Sequence, residues 1–586
     1  MTEHFEVLER DGPARLGELR LEAPVETPAL VDDLVEDAGS LWSADRAVPA
    51  GDPARLTVLP HRGFPTGTRP GVQAAFAPEV PALDAPAAAV VTPHLAEDLG
   101  VDAYVLSGVG GLRGRARDLV EAVVATRRAI PPDAALYLPG MATPANAALL
   151  IYLGVDLLDR DLAAIRGARR RYLTPEGKRD LEAMRTLPCA CPVCAGADPD
   201  DLDGEAVADH NVRVLEATLR LVRDRVRAGQ LRDHLEGQVR HVPWLTAALR
   251  HLEDEWAFVE RRAPVASEAR LNCTTDDALR RAPVRRFMAR LRDRYEPRLD
   301  DRPLVLVPCS ATKPYSRSPS HRDFRDAMGY RGHLVSLSSP LGVVPEELEL
   351  TYPAQHYETP VTGRWSASER EVVADGLAAF LEATDHPRVI AHLPKAGYGA
   401  VLRTAVDRAG VDDPIETVAG HPTDPEALAA LDEALADESP IPRSRRHRTI
   451  LAAIADAQFG AGVGDALLAE AEVRGRYPRL RAFDTDGEQL TTLVHQYGQL
   501  ALTLAGARRL RSHDEACHAV AIEAFVPHGS VLAPGVEDAD AGIRVGDEVV
   551  VTGPAALAVG RAAMSGPEMV ASSRGVAVDV RHVEER

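Results

Sequence analysis

The chain has 586 residues, of which 45% are hydrophobic, and its formal net charge is −21. At roughly 150 residues per domain this length excludes a single core and predicts about three to five domains, and no run approaches the ~18 uninterrupted apolar residues of a membrane span. The acidic N-terminus lacks the cationic-then-apolar order of a signal peptide, and six cysteines are too few for a disulfide framework, so we expect a cytoplasmic protein without membrane contacts.

Lysine is rare in this sequence. It occurs only at Lys178, Lys313 and Lys395, although the chain has 67 Lys and Arg residues in all. Excess acid with an Arg bias is typical of a GC-rich, salt-adapted proteome, in which surface carboxylates keep proteins soluble and salt screens long-range repulsion. The net charge therefore does not exclude RNA, and RNA contacts are expected to be local. A Lys in such a chain is a candidate base or nucleophile, because burial can remove its proton.

The first region, residues 1–275, alternates apolar runs with helical patterns. The runs 103–106 and 135–138 are predicted strands, and the segments 117–130 and 144–153 have helical patterns. This alternation predicts parallel β/α architecture.

Three cysteines form a C-x-C-x-x-C pattern that precedes a predicted helix. Three thiolates and one imidazole complete a tetrahedral zinc site with no open position for water, so we predict a structural zinc ion. The predicted ligands are Cys189, Cys191, Cys194 and His210. Three free thiols or an iron–sulfur cluster are the alternatives, and His234 or His241 is an alternative fourth ligand.

A second α/β region, residues 276–435, begins with a basic helical stretch at 276–300 that is either a solvated helix or a contact for phosphates. The apolar run 302–307 is a predicted buried strand that ends at Pro308. Open α/β sheets place their ligand crevices at the carboxyl ends of such strands. The loop that follows concentrates reactive side chains, which predicts a catalytic site. The candidate catalytic residues are Cys309, Lys313, Tyr315, Ser318 and His321.

These candidates also have structural interpretations. Cys309 is alternatively a buried strand-end cysteine, and Lys313 is alternatively a ligand for a phosphate or a carboxylate. His321 alternatively caps or bridges the loop, and Tyr315 alternatively packs beneath it.

Two further segments are weaker candidates for the same crevice. The polar cluster 352–358 either faces the crevice or is a surface loop. Lys395 follows the predicted strand 389–392, so it also lies at a carboxyl edge of the predicted sheet.

The rest of the chain predicts two small modules. The acidic segment 424–442, with prolines near its end, is interpreted as a linker after a short helix. Residues 440–507 are expected to form a small α/β module. Residues 508–586 have short strands with Gly, Pro and Asp turns, which is typical of a compact β-barrel.

The metal motif resembles that of tRNA-guanine transglycosylases. The segments 154–159 and 171–177 are similar to the last barrel strands of that family, and Asp159 aligns with its nucleophilic aspartate. The family's Asp-Ser-Gly signature, which carries a second catalytic aspartate, is missing, and the region is too short for a complete barrel. The resemblance therefore implies a degenerate β/α barrel with a zinc subdomain, in which Asp159 is a relic nucleophile.

The C-terminal region resembles a PUA domain, a small RNA-binding barrel. The sequence motifs at 544–549, 558–561 and 574–578 occur in the order that this family shows. The resemblance implies tRNA as a partner. Phosphate contacts are expected from Arg561, Arg574 and Arg581.

Over essentially the whole chain, the sequence resembles the archaeosine synthase family, through the pattern P-C-x3-K-P-Y-x2-S-x2-H at 308–321. The implied fold class is a multidomain α/β protein. Its expected parts are a degenerate transglycosylase barrel with the zinc subdomain at 1–275, an α/β catalytic core domain at 276–435, a small α/β module at 440–507 and a PUA RNA-binding domain at 508–586.

This resemblance also implies a reaction. The family acts on tRNA that carries 7-cyano-7-deazaguanine at position 15, and it attaches an amine donor to the nitrile. Lysine is the favoured donor, and glutamine or ammonia is the alternative. The resemblance further implies a radical-SAM enzyme as partner and, from archaeal relatives, a homodimer through the zinc-bearing domain.

The side chains of the predicted catalytic loop have the chemistry that addition to a nitrile requires. A thiolate at Cys309 can add to the nitrile carbon and give a thioimidate, and His321 is predicted to protonate the nitrile nitrogen. Direct attack by the amine, with the loop only positioning the reactants, is the alternative chemistry. Two other functions stay open: guanine exchange that uses Asp159, and a non-catalytic tRNA-binding scaffold for a partner enzyme.

Overall fold

The computed structural model describes residues 3–39, 49–65, 67–361, 364–512 and 518–586. Its contacts divide the chain into two compact units. The first comprises Met1–Ala263, Leu532–Pro534 and Glu568–Val576, and the second comprises Pro264–Val531, Gly535–Pro567 and Ala577–Arg586. Within the described ranges, no helix combines the length and the apolarity that crossing a bilayer requires.

A parallel sheet is the centre of the first unit. The antiparallel strands β1 (Phe5–Asp11), β2 (Ala14–Leu19) and β3 (Val25–Thr27) precede it. Its seven strands are β4 (Ala29–Leu30), β5 (Val35–Asp37), β6 (Leu56–Val58), β7 (Ala87–Val91), β8 (Ala103–Leu106), β9 (Ala135–Tyr137) and β10 (Leu157–Leu158). Their spatial order is β4-β10-β9-β8-β7-β6-β5, and the pairings are parallel. A complete barrel of this class has eight strands, so the sheet agrees with the predicted degenerate β/α barrel.

Helices and one hairpin complete this unit. The helices are α1 (Pro70–Ala75), α2 (Ala116–Ala129), α3 (Ala147–Tyr152), α4 (Asp161–Ala168), α5 (Gly204–Arg227), α6 (Leu231–Gln238), α7 (Pro243–Asp254) and α8 (Trp256–Arg262). The antiparallel hairpin of β11 (Arg171–Thr174) and β12 (Gly177–Asp180) lies between α4 and α5 in the chain. The helices α4 and α5 approach so closely that a Cβ atom at Gly167 would lie 2.2 Å from the Cα atom of Ala208. This close packing fixes the position of α5, which carries His210 of the predicted metal site.

A five-stranded sheet organises the N-terminal half of the second unit. After β13 (Leu271–Asn272) and α9 (Ala282–Arg294), the elements are β14 (Leu304–Pro308), α10 (Pro319–Met328), β15 (His333–Ser338), β16 (Gly342–Pro345), β17 (Tyr357–Glu358), α11 (Ala367–Glu382), β18 (Val389–Ala391), α12 (Lys395–Ala409), β19 (Ile415–Glu416) and α13 (Pro425–Ala434). The sheet order is β16-β15-β14-β18-β19, and only β16 is antiparallel to its neighbour. The predicted strand at 302–307 is therefore the central strand.

Alternating side chains of β14 face two helical layers. Val305 and Val307 pack in one buried cluster with Phe324 of α10, whereas Leu304 and Leu306 pack in another with residues of α11 and α12. This is the arrangement of a doubly wound sheet, whose ligand edge is the carboxyl end of its strands. The predicted linker at 424–442 begins with α13, but Leu431 and Leu435 are fully buried against the same sheet, so this stretch belongs to the core.

The C-terminal part of the second unit has two more sheets. Its first elements are α14 (Arg443–Phe459), α15 (Val463–Leu467), β20 (Glu472–Arg476), β21 (Arg479–Phe483), β22 (Gln489–Val494), β23 (Gln499–Leu502) and α16 (Leu504–Arg511). The last are β24 (Ala519–Ile522), β25 (Ser530–Leu532), β26 (Val536–Ala539), β27 (Glu548–Thr552), β28 (Ala556–Ala562) and β29 (Val576–Glu585). Helix α17 (Gly566–Ala571) lies between β28 and β29 in the chain, and its residues from Glu568 onward belong to the first unit. The first four strands form an antiparallel sheet, and the last six form a sheet in the order β25-β29-β28-β27-β24-β26. The module expected at 440–507 thus contains helices and an antiparallel sheet.

One hydrophobic cluster joins these regions of the second unit. It contains Tyr315 and Tyr357 from the region of the α/β sheet, Phe459 and Leu480 from the following module, and Val559 from the last sheet. The predicted boundaries at 435, 440 and 508 therefore cross a common core, and the division into separate domains stays a prediction.

Candidate functional site

The structure brings the four predicted metal ligands together. Their ligand atoms all lie within 4.8 Å of one another. The Nδ1 atom of His210 is 3.5 Å from the sulfur of Cys191 and 3.3 Å from that of Cys194. Bond lengths of about 2.0–2.3 Å in a tetrahedral site place neighbouring donors roughly 3.5–3.8 Å apart. The cluster therefore has the donor set and the spacing of a four-coordinate metal site.

The surroundings of His210 fix its orientation. Its Nε2 atom donates to the carbonyl oxygen of Leu173 at 3.0 Å, which leaves Nδ1 free of a proton and directed at the thiols. The ring of Tyr172 stacks on the imidazole with centroids 3.8 Å apart. A backbone carbonyl on the second nitrogen is a common way of fixing the tautomer of a metal-binding histidine. His234 and His241, the alternative fourth ligands, are not in the cluster.

Asp159 directly follows β10, and protein donors occupy its carboxylate. One oxygen accepts hydrogen bonds from the Tyr137 hydroxyl at 2.9 Å and from the Gly140 amide at 2.6 Å, and the other accepts from the Asp161 amide at 3.2 Å. The residue is 2% exposed, and burial raises the pKa of its carboxyl above the ordinary value. A carboxylate held in this way braces neighbouring loops and is poorly placed to attack a ribose.

Cys309 lies directly after the last residue of β14, at the carboxyl edge of the sheet. Its amide donates to the Leu337 carbonyl at 3.1 Å, which extends the pairing of β14 with β15. The thiol is half-buried and lies 3.4 Å from the hydroxyl of Tyr398. The burial of Tyr398, and then the charge of Cys309, raise the pKa of that phenol, so its hydroxyl stays protonated and can donate to a thiolate.

Lys313 is the cation of this site. Its Nζ atom lies 3.9 Å from the ring centroid of Tyr357, in a cation–π contact. Burial lowers the pKa of its ammonium, and the charges of Cys309, Glu358 and Cys273 partly oppose that shift. A lowered pKa makes the ammonium a better proton donor and the free amine more available as a base.

Tyr315 lies beneath the loop. It is 2% exposed, and its hydroxyl is 2.5 Å from that of Tyr357, which in turn is hydrogen-bonded to Ser338. Burial raises the pKa of Tyr315. This agrees with the alternative interpretation that Tyr315 packs under the loop, and it places Tyr357 of the weaker candidate segment 352–358 at the same site.

His321 is buried and bridges two parts of the loop. Its Nε2 atom donates to the carbonyl oxygen of Pro308 at 3.0 Å, its ring stacks on Tyr315, and it has no exposed surface. Burial, with a smaller contribution from Arg325, lowers the pKa of the imidazole to about 3. The sequence-based role of His321 as a proton donor therefore does not fit, because a neutral ring already commits its only N–H to the backbone. The alternative, a bridge across the loop, does fit.

Ser318 is also internal. It is 1% exposed, and its hydroxyl donates to that of Ser310 at 2.8 Å and lies 3.0 Å from that of Ser320. Of the five predicted catalytic residues, only Cys309 and Lys313 retain partly exposed side chains. The other three support the loop from below.

Sequence patterns missed two features of this site. Tyr398 follows Gly397, whose φ of 83° kinks the start of α12, and its hydroxyl lies 3.4 Å from the sulfur of Cys309. The Gly-Tyr-Gly sequence after β18 is the signal that could have indicated it. Lys395, the weaker candidate at this edge, is exposed and pairs with Glu416 at 3.5 Å.

The second missed feature is a buried carboxylate that anchors the loop. The side chain of Glu349 accepts hydrogen bonds from the Ser316 amide at 2.7 Å and from the Tyr477 hydroxyl at 2.5 Å. Arg325 lies 3.6 Å from the same carboxylate. Nothing local in the sequence indicates this contact, because Tyr477 belongs to a later module.

The three arginines predicted to contact RNA differ in their surroundings. Arg561 lies over the ring of Tyr497 with 4.7 Å to the centroid, and its Nε atom donates to the Gly546 carbonyl. Arg581 forms an ion pair with Glu548 and donates to the Leu502 carbonyl at 2.9 Å. Arg574 is half-buried and has no ion pair within the described ranges. Their contacts with RNA stay predictions. Of the three guanidinium groups, that of Arg574 has the fewest protein partners among the described residues.

Family comparisons match four successive segments. Residues 65–243 match the family described as queuine tRNA-ribosyltransferase, and residues 284–435 match a domain of unknown function, DUF5591. Residues 449–516 match the patch-forming domain C2 of tRNA-guanine transglycosylase, and residues 517–583 match the PUA domain. The Cys309 loop lies in the second of these segments.

Comparison with curated proteins gives matches along the whole chain. The tRNA-guanine(15) transglycosylase of Methanothermobacter thermautotrophicus is 27% identical over 80% of this chain and 69% of its own length. The archaeosine synthase subunit alpha of Methanosarcina acetivorans is 39% identical over all of both chains. The archaeosine synthase of Haloferax volcanii is 49% identical, again over 100% of each. The chain therefore belongs to the archaeosine synthase family, whose members are tRNA-modifying transferases.

Proposed function

We propose that this chain attaches an amine donor, with lysine favoured, to the nitrile of 7-cyano-7-deazaguanine at position 15 of tRNA. The observation that carries the proposal is the placement of Cys309 at the carboxyl edge of the central strand, with Tyr398 on the thiol and Lys313 electrostatically coupled to it. A nucleophile beside a hydrogen-bond donor and a cation of lowered pKa is the arrangement that activates a thiol.

In the first step the Cys309 thiolate adds to the nitrile carbon. A carbon–sulfur bond forms, and one electron pair of the C–N triple bond moves to nitrogen. The ammonium of Lys313 supplies the proton that the nitrogen needs, because burial has lowered its pKa. Lys313 takes this role in place of His321, whose N–H is bound to Pro308. The product of the step is a thioimidate.

In the second step the donor amine attacks the same carbon. The carbon–sulfur bond breaks, the thiolate leaves with its electron pair and Tyr398 again donates to it. The attacking amine loses one proton to the neutral side chain of Lys313, which restores the ammonium. The sum is the addition of an amine to a nitrile to give an amidine, so the reaction needs no oxidant or reductant.

The test is the mass of the product. tRNA carrying the nitrile base is incubated with the protein and free lysine, and intact mass and nucleoside composition are measured for the wild type and Cys309→Ala. We expect a gain equal to one lysine, which Cys309→Ala abolishes while it still binds tRNA. Product formation by Cys309→Ala would overturn the covalent route in favour of direct attack. Absence of any gain with lysine, glutamine or ammonia would favour the scaffold function.

We propose that the metal of the Cys189, Cys191, Cys194 and His210 cluster is zinc in a structural role. The donor set favours zinc, and four protein ligands leave no position for water. The ion would tie the loop that carries Cys189, Cys191 and Cys194 to His210 on α5. Metal analysis of purified protein tests this: about one zinc per chain is expected, and stoichiometric iron would contradict it.

Guanine exchange through Asp159 is disfavoured by the three protein donors that occupy its carboxylate. A radical-SAM enzyme that cleaves the lysine adduct remains our proposed partner, and the name of the Methanosarcina relative, a subunit alpha, supports a second chain. A homodimer through the metal-bearing subdomain is proposed on family resemblance, and light scattering at several protein concentrations would test it.

A further inference from the structure

A cavity of about 440 Å³ lies in the first unit, away from the metal cluster's own ligands. It is lined by the loop after β8, the loop after β9, α4, the hairpin β11–β12 and the start of α7. Arg113 from the first loop, Arg166 from α4 and Lys178 from β12 all line it, and we call it the basic cavity. Lys178 is one of the three lysines of the chain.

Among the described residues, the cations of the basic cavity form no ion pair with a carboxylate. Glu176 is the one carboxylate among its lining residues. Arg166 is half-buried, and within the described part of the chain its side chain has no hydrogen bond or ion pair. Burial, and then the nearby guanidinium of Arg113, lower the pKa of Arg166. Arg113 donates to the carbonyl oxygen of Gly110 at 3.0 Å, its one hydrogen bond within the described ranges.

This lack of partners is unusual for the chain. Acidic residues outnumber basic ones by 88 to 67, and other buried arginines of the same unit, among them Arg127 and Arg232, donate hydrogen bonds to protein acceptors. Arg15, for example, donates to the Asp156 carboxylate at 3.0 Å and to the carbonyl of Ala134 at 2.9 Å. Two guanidinium groups and an ammonium around one concave space repel one another, and an anion in that space removes the repulsion.

We propose that the basic cavity binds phosphate groups of an RNA backbone. Arg113 and Lys178 are exposed at its rim, whereas Arg166 is half-buried, so the cations extend inward from the surface and suit successive phosphates of a polymer. The rings of His241 and Trp244 line the same space and offer faces for a base or ribose. A chain of net charge −21 repels RNA at long range, so binding requires such local cationic sites.

The proposal goes beyond the reaction at Cys309, and its test uses unmodified tRNA so that the two can fail independently. Affinity for a tRNA transcript is measured as a function of KCl, over the range in which circular dichroism shows folded protein. The variant is Arg113→Gln/Arg166→Gln/Lys178→Gln. The control is Arg117→Gln/Arg169→Gln/Arg185→Gln, which removes three exposed cations of the same unit outside the cavity.

Each phosphate contact contributes about 0.7–0.9 to the slope of log affinity against log salt. We therefore expect the cavity variant to lower that slope by about 2 and to weaken binding about 10- to 100-fold at the lowest salt, with the control close to wild type. Equal slopes for the cavity variant and the control would overturn the proposal.

A second arm separates RNA from a free anion. Inorganic phosphate is added to wild type and cavity variant, and the melting temperature is measured. If phosphate stabilises only the wild type while the tRNA slopes of all three proteins agree, the cavity holds a small anion, and the RNA assignment is overturned. If the cavity variant loses both effects, the RNA assignment stands.

Discussion

Asp159 and Cys309 both directly follow the last residue of a parallel strand, yet their surroundings are opposite. Hydrogen bonds from Tyr137, Gly140 and Asp161 saturate the carboxylate of Asp159, which is 2% exposed. The thiol of Cys309 is half-buried, and the structure gives it a single side-chain hydrogen-bond contact, the Tyr398 hydroxyl at 3.4 Å, among the described residues. The carboxyl end of a parallel strand thus offers a position for a functional side chain. The hydrogen-bond donors around that position decide whether the side chain has a structural role or is available for reaction.

Replacement of Lys313 should have the largest effect on the proposed reaction at Cys309. We expect Lys313→Met to lower the rate of amidine formation about 100-fold, because general acid–base catalysis typically contributes 10²–10⁴. Lys313→Arg keeps the charge but cannot exchange a proton near neutral pH, so it should be impaired to a similar extent. Single-turnover rates measure both. Full rescue by Arg would show that only the positive charge matters.

The Tyr398 hydroxyl is expected to contribute about 10-fold, as a donor to the thiolate. Tyr398→Phe removes this hydrogen bond and disfavours ionisation of the thiol. Alkylation of Cys309 by iodoacetamide at fixed pH should therefore slow by up to about 10-fold, since a hydrogen bond to a charged group is worth ~1.5 kcal/mol. Mass spectrometry of the Cys309 peptide gives the rate. An unchanged rate would assign Tyr398 to packing alone.

The buried imidazole of His321 should make stability depend on pH. Its folded pKa of about 3 lies below the ordinary value for histidine, so the unfolded chain binds the proton more readily. Stability is therefore fully present above the unfolded value near 6.5 and falls as pH decreases below it, by at most about 1.4 kcal/mol per pH unit. Urea unfolding at pH 7, 6 and 5 should show a smaller slope for His321→Gln than for wild type. Parallel slopes would mean that the imidazole is protonated in the folded state.

Asp159→Asn should have the smallest effect on catalysis. We expect product formation within about 3-fold of wild type, and a loss of stability of about 1–3 kcal/mol, because replacement of one oxygen disturbs donors that are now paired. Chemical unfolding measures the second quantity and the tRNA product assay the first. A loss of activity comparable to that of Cys309→Ala, at unchanged stability, would restore a catalytic role to Asp159.

Local patterns predicted the parts of the site that depend on local signals. The apolar run before Pro308 indicated a buried strand, and the cysteine spacing indicated the metal cluster, which the structure brings together with His210. Contacts across long sequence separations were not predictable. Tyr398 reaches Cys309 from 89 residues away, and Tyr477 reaches Glu349 from 128 residues away.

For some of the predicted catalytic residues, the motif and the observed burial favour different roles. A titrating imidazole and a hydroxyl look reactive in a motif, but His321 and Ser318 face inward and their polar atoms bond to the loop itself. Burial, which no short motif reports, separates the partly exposed Cys309 and Lys313 from the three buried candidates. The predicted domain divisions stay predictions, and one core cluster includes side chains from all four predicted domains.

The contacts of the Glu349 carboxylate bear on whether the Cys309 loop can keep its conformation without the module that follows it. It is 2% exposed and bonds at once to Ser316 in the loop and to Tyr477 in the following module. A fragment ending near residue 435 would leave this carboxylate without its phenol partner and uncover the side chains packed around it. We therefore expect the region that carries the loop to fold only together with the module that follows it in the chain.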